Sequence, residues 1–130
     1  MGRNSCTITR RVIFTCSGAY NVGQIANRAA MDLQQEGIAQ ALCLASVAGN
    51  QKDTIALART ADRIVRIDGC ERACAKKTLE NAGLSATDHI IVTDLSLAKK
   101  PHDNTIDPNA VTRVKNAVKG RLESIPGGDG

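Results

Sequence analysis

The chain has almost no aromatic side chains: Phe14 and Tyr20 are the whole complement, and tryptophan is absent. That scarcity excludes the stacking platforms on which single-stranded nucleic acids are held. It also requires a core of Val, Ile, Leu and Ala, which suits helices packed tightly on a sheet. Long apolar runs are missing too. Nothing approaches the roughly 20 residues of a membrane span, and no apolar stretch of signal-peptide length follows the early arginines. The expectation is a cytoplasmic protein with no membrane partner. Charge of neither sign dominates, with 17 basic against 13 acidic residues. Apart from Arg10-Arg11, Lys76-Lys77 and Lys99-Lys100 the charges are scattered. Without a basic stripe or a recognition motif, no nucleic-acid partner is expected.

Two phosphate-handling motifs fail on inspection. Gly18 and Gly23 have the glycine spacing of a phosphate-binding loop, but Gln24-Ile25 stand where lysine and a hydroxyl residue are required. A loop of cysteine, five residues and arginine, counted from Cys16, would need arginine where Val22 stands. Counted from Cys70 it reaches Lys76, which lacks the planar fork that holds an oxyanion with two bonds. A generic anion-binding loop of Ser17, Gly18, Asn21 and Gly23 at the start of the first helix stays open.

What the chain does have is cysteine, five in 130 residues. In a reducing compartment, clustered thiols point to metal binding or catalysis before structural disulfides. The segment 11–16 is a β-branched run ending at Ser17-Gly18, a strand and a turn. Asn21 is placed to cap a helix whose apolar positions Val22, Ile25, Ala26, Ala29 and Leu33 keep helical spacing until Gly37. A second strand is read over 38–45 and a second helix over 53–61. The third strand is 63–68 and the third helix 71–81. The fourth strand is 89–94, and Asp107-Pro108 opens a last helix with apolar residues at Val111, Val114, Val118, Leu122 and Ile125.

This βαβαβαβα order predicts a single α/β domain over residues 11–125, between a flexible leader (1–10) and a flexible tail (126–130). Its architecture is a three-layer sandwich, a four-stranded, mostly parallel sheet with helices on both faces. Ligands in such sheets bind beyond the carboxyl ends of the strands, where the winding reverses. Cys16, Cys43, Cys70 and Cys74 fall at that edge. The 27 residues from Cys16 to Cys43, and again from Cys43 to Cys70, are the length of one strand-plus-helix unit and are not themselves a sign of metal.

Cys70 and Cys74, four apart, would share one face of a helical turn and supply half of a tetrahedral zinc site. Cys16 at a neighbouring strand end can join them. Cys43 reads equally well as a small core residue. Cys6 reads as an unpaired thiol in a polar leader, and His89 and His102 as surface histidines, His102 on a loop at the functional edge. Asp68 can either order the turn at Gly69-Cys70 behind the ligands or be an ordinary turn-former. Arg72, Lys76 and Lys77 can offset the charge of a thiolate cluster or be plain solvated residues.

The Asp68-Gly69-Cys70 triplet, with the run from Cys16 to Ala26, Cys43-Leu44-Ala45 and Cys74-Ala75, resembles the DGC-domain family of small proteins to which zinc binding is ascribed. The resemblance spans about residues 11 to 125. It implies a zinc ion held by Cys16, Cys43, Cys70 and Cys74; the leading reading is then a zinc-binding protein in a structural, sensing or trafficking role. The chain departs from the family pattern at Ala19-Tyr20, where small residues such as glycine and serine are expected. The competing reading is a thiol-dependent redox or sulfur-transfer enzyme, with Cys16 or Cys70 as nucleophile and Cys74 as the resolving thiol. Cys70 and Cys74 do not form the CxxC spacing of such enzymes.

Overall fold

In the computed structural model, which describes residues 10–101, 103 and 105–123, four parallel strands form one sheet in the order β2-β1-β3-β4. The strands are β1 (Arg11–Thr15), β2 (Gln40–Ala41), β3 (Arg63–Asp68) and β4 (Asp88–Ile91). The helices are α1 (Asn21–Gln35), α2 (Leu44–Ala48), α3 (Lys52–Arg59), α4 (Cys74–Asn81) and α5 (Pro108–Leu122), with a 3-10 turn over Val92–Leu95. The expected α/β class and parallel sheet are therefore present. Cys6, His102, Ile125 and nearly all of the expected leader and tail lie outside the described residues. Among the described residues no helix is long and apolar enough to cross a membrane.

Strand alternation sorts the core into two layers. Ile13, Val65, Ile67 and Ile90 point to one face and pack under α1 and α5, with Ile25, Ala29, Leu33, Val111, Val114 and Val118. Val12, Phe14 and Ile64 point to the other and pack with Val47, Ile55, Ala58 and Leu79 of α2, α3 and α4. Both faces of β1 and β3 are covered, which is why β3 is buried at every position and β1 at every position after Arg11. The chain leaves β1 for β2 on one side, then crosses back to β3 on the other. The β1–β3 pair is thus where the winding reverses.

Several boundaries move for identifiable reasons. The second strand, expected over 38–45, keeps only Gln40–Ala41. Leu42 still donates to the Ile13 carbonyl at 2.9 Å, but from Cys43 the chain turns into the unanticipated α2. A short apolar run does not distinguish a buried strand from a helix. Helix α4 begins at Cys74, not Glu71, because Ala73 adopts the left-handed conformation at φ 53°. The two cysteines therefore do not share a helical turn: Cys70 lies in the bend before the helix. The fourth strand spans Asp88–Ile91, and Val92–Leu95 coil into the 3-10 turn, whose Thr93 donates to the Gly69 carbonyl at 3.2 Å. Asp107 caps α5 as expected, its side chain accepting from the Asn109 amide at 2.9 Å.

At the amino-terminal edge of the sheet, Arg63 and Asp88 form a buried two-pronged pair, Nε to Oδ2 at 2.9 Å and Nη2 to Oδ1 at 2.8 Å. Arg63 also donates to the Arg121 carbonyl at 3.0 Å, so β3, β4 and α5 are clamped together. Burial pushes the Asp88 carboxyl up, but the bonds from Arg63 and Thr87 outweigh it and hold the group below its ordinary value. A carboxyl depressed in the folded state stabilises the fold above its unfolded pKa of about 3.9, and that contribution is lost as pH falls through the folded value. Asp88→Ala, which leaves a buried guanidinium without its carboxylate, is expected to cost about 3–5 kcal/mol in urea unfolding at neutral pH. The difference from the parent should shrink below pH 4. An equal loss at pH 3 and pH 7 would show that packing, not charge, is responsible.

Candidate functional site

Beyond the carboxyl ends of β1 and β3 lies a cavity of about 350 Å³ whose lining includes Cys16, Cys70 and Cys74. Cys16 continues β1 by one residue, its amide donating to the Ile67 carbonyl at 3.1 Å, and its Sγ accepts the Gly69 N–H at 3.0 Å. That bond is available because β1 and β3 run in register from Arg11 and Arg63 to Thr15 and Ile67. Cys70 is half-buried in the bend after β3, and Cys74 is exposed at the first position of α4.

Two glycines let the walls of this cavity meet. A Cβ on Gly69 would stand 3.0 Å from the Gly23 nitrogen and the Val22 carbonyl carbon. One on Gly23 would stand 2.6 Å from the Gly18 nitrogen. Backbone thus lies directly on backbone where the β3 turn, the Cys16 loop and the start of α1 converge.

Asp68 is fully buried in the floor. Its Oδ1 accepts the Ala75 N–H at 2.7 Å, so the carboxylate caps the start of α4 from the strand, a role that neither of its two expected readings, ordering Gly69-Cys70 or forming an ordinary turn, had given it. Its Oδ2 lies 3.0 Å from Arg66 Nε in an ion pair whose alignment falls short of a hydrogen bond. Burial pushes the Asp68 carboxyl up, against the pull of Ala75 and Arg66. Burial likewise pushes the Cys16 thiol up; the Gly69 N–H draws it down, while Asp68, Cys74 and Cys70 add to the rise.

Cys43 is in a different setting. It precedes α2, is exposed, and lines a neighbouring cavity with Thr15, Asn27 and Thr78. Ser17 and Leu44 line both cavities. The Ser46 hydroxyl and amide draw the Cys43 thiol below its ordinary value. It is not the core residue that its apolar run allowed. His89 is exposed in a separate hollow with Arg66 and Lys76, while Arg72 lines the cysteine cavity. Among the described residues no three cysteine, histidine or acidic side chains are gathered closely enough to hold an ion as they stand.

Of the anion-loop residues, Ser17, Gly18 and Gly23 line the cavity. The Asn21 amide donates to the Lys100 carbonyl and the Gly23 amide to the Tyr20 carbonyl. Asn21 does not cap α1. Its Nδ2 donates to the Ala98 carbonyl at 2.9 Å and its Oδ1 accepts the Lys100 N–H at 2.6 Å, binding segment 98–101 across the helix start. Tyr20 bridges to Pro101 in the same seam. This brings Lys99 to the cavity, its Nζ 4.3 Å from the Tyr20 ring centre. Sequence reasoning missed Lys99. The available signal was its position after β4, at the ligand-binding edge.

The family model described as the DGC domain matches residues 12–118. The anaerobic and virulence modulator AnvM of Pseudomonas aeruginosa is 32% identical over 89 residues, covering 68% of this chain and 68% of that protein. No solved structure matches the chain.

Helix propensity and packing pull in opposite directions at Gly23. Alanine there gains about 1 kcal/mol of propensity but forces a Cβ to 2.6 Å from a backbone nitrogen. Overpacking costs about 1–3 kcal/mol, so Gly23→Ala is expected to lower the urea midpoint. Gly120→Ala in α5, with nothing within 4 Å of the new Cβ, should raise it. A higher midpoint for Gly23→Ala would show that the Gly18 loop yields.

Proposed function

Because the chain belongs to the DGC-domain family, we propose that its cysteine cavity captures a thiophilic metal ion, zinc in the first instance, in a sensing or carrier role. The observation that carries the reading is the convergence of Cys16, Cys70 and Cys74 on one cavity at the reversal of winding. The donor chemistry suits zinc, which takes thiolate sulfur readily. The Gly69 N–H bonded to Cys16 Sγ is the kind of outer contact that orients a ligating sulfur.

The placement suits three sulfurs better than four. Cys16, Cys70 and Cys74 would hold the ion, with Cys43 joining from the neighbouring cavity only if its loop moved. Three protein ligands leave a coordination position open, as reactive sites do and closed structural sites do not. Ligation also requires the 70–74 segment to draw in toward Cys16, since the side chains are not gathered as they stand. A site that assembles around its ion suits sensing or carriage better than permanent structural support. The name of the relative, a modulator, favours the same choice. The described cysteines are all free, in keeping with a reducing, cytoplasmic setting.

The thiol-enzyme alternative has less support. Cys70 and Cys74 lack the CxxC spacing of disulfide-exchange enzymes and do not share a helical turn. Cys43, the thiol that is drawn down, is outside the cavity.

Protein purified without chelator and measured by elemental mass spectrometry should carry zinc at close to one equivalent. Replacing Cys16, Cys70 or Cys74 by serine should weaken zinc retention against a chromophoric chelator by about tenfold or more, since each removes a ligand. Cys43→Ser should have a much smaller effect. Zinc-free protein with every thiol reduced would overturn the reading, and equal losses from all four replacements would favour a closed four-sulfur site.

A further inference from the structure

The cations of the cysteine cavity are placed to select what approaches the thiols. Arg72 enters from the bend that carries Cys70, and Lys99 from segment 98–101, far away in sequence. Among the described residues neither forms an ion pair with a carboxylate. Asp68 is the one acidic side chain in the lining, and it is fully buried beside Arg66. The rest of the wall is largely apolar or neutral, with Val22, Leu44, Ala73 and the Tyr20 ring. A cleft of low polarity carrying one sign of mobile charge concentrates ligands of the opposite sign.

Lys99 is held there by construction. Three hydrogen bonds between Asn21 and residues 98–100, with the Tyr20–Pro101 bridge, fix the backbone on both sides of it. Its ammonium rests 4.3 Å from the centre of the Tyr20 ring, a cation–π contact that limits its wandering into solvent. The Ala19-Tyr20 pair, the chain's departure from the expected small residues, supplies that ring.

We propose that this cavity selects small anionic, thiol-directed ligands, with Lys99 and Arg72 as the residues that recognise the negative charge. The inference rests on the reading of the cavity as the working site, and it names the class of the ligand that would fill the open position beside three sulfurs: an anion such as a small carboxylate-bearing thiol. It does not require that metal be bound.

The test compares iodoacetate, which is anionic, with iodoacetamide, its neutral counterpart, on full-length protein in chelator. In both reactions a thiolate sulfur displaces iodide from the same carbon, so a carbon–sulfur bond forms as the carbon–iodine bond breaks, and the thiol proton is left to solvent. The ratio of the two rates at one cysteine cancels that thiol's degree of ionisation and isolates the preference for charge. Peptide mass spectrometry reads each cysteine separately, and Cys43, outside the cavity, is the internal reference.

The iodoacetate-to-iodoacetamide ratio at Cys16, Cys70 and Cys74 is expected to exceed that at Cys43 by about 3- to 10-fold at low salt. It should fall toward the Cys43 value in 1 M salt, where the screening length is about 3 Å. Lys99→Gln and Arg72→Gln should each lower it, and Lys99→Arg should preserve it. A ratio no higher than that of Cys43, or a raised ratio that neither glutamine variant lowers, would overturn the proposal. Zinc content separates the two readings: a zinc-free parent whose anion preference is still lowered in the glutamine variants leaves this proposal standing without the metal, and a parent that carries zinc but shows no anion preference leaves the metal site standing without this one.

Discussion

Everything at the working edge of this molecule depends on one close approach of backbone to backbone. Gly69 rests on Val22 and Gly23, and Gly23 in turn rests on Gly18. These contacts lock three segments together: the loop after β1, the first turn of α1 and the bend after β3. They hold the bend carrying Cys70 against the start of α1, beside the bond from the Gly69 amide to Cys16 Sγ that the strand register provides. The required residue type is glycine because the obstruction is backbone, which cannot swing aside as a flexible side chain can.

The two buried acid–base pairs show how one pairing serves two ends. Arg63 and Asp88 share two well-directed hydrogen bonds and fasten the amino-terminal edge of the sheet. Arg66 and Asp68, on the same strand near its other end, meet at 3.0 Å without hydrogen-bond alignment. Asp68 directs its other oxygen to the Ala75 amide, so the charge that neutralises Arg66 also sets where α4 starts and hence where Cys74 stands. The first pair depresses its carboxyl and the second leaves its carboxyl raised, a difference that follows from bond count against burial.

Much of the fold was legible in the chain. The β-branched runs at β1 and β3, the apolar spacing of α1 and the Asp107-Pro108 start of α5 each pointed to the element that forms there, because propensity and burial agree. The family was legible in Asp68-Gly69-Cys70 and its companions. Cys43 was not, because residues 38–45 are apolar except for Gln40 and so carry no period by which to separate strand from helix. The α4 start was hidden for another reason: alanine gives no hint that Ala73 will take a left-handed conformation, which glycine or asparagine would have signalled. Asn21 looked like a cap because caps are local, while its actual partners lie 77 and 79 residues away. Lys99 carried only the coarse signal of a place after β4 at the ligand-binding edge; no spacing rule connects a loop after the fourth strand to a ring before the first helix.

The seam between Asn21 and residues 98–100 also has a meaning in time. Cys16 leaves a ribosome well before Lys99, and at roughly 5–20 residues per second the delay is several seconds. Throughout that interval one rim of the cavity does not yet exist, and β3, which supplies Gly69 and the Cys70 bend, emerges only midway. The thiols are therefore delivered as separate, unsheltered groups and become a common site only when the second half of the chain has docked on the first. A chain truncated before residue 98 would keep the cysteines while losing the part of the cavity wall that Lys99 supplies.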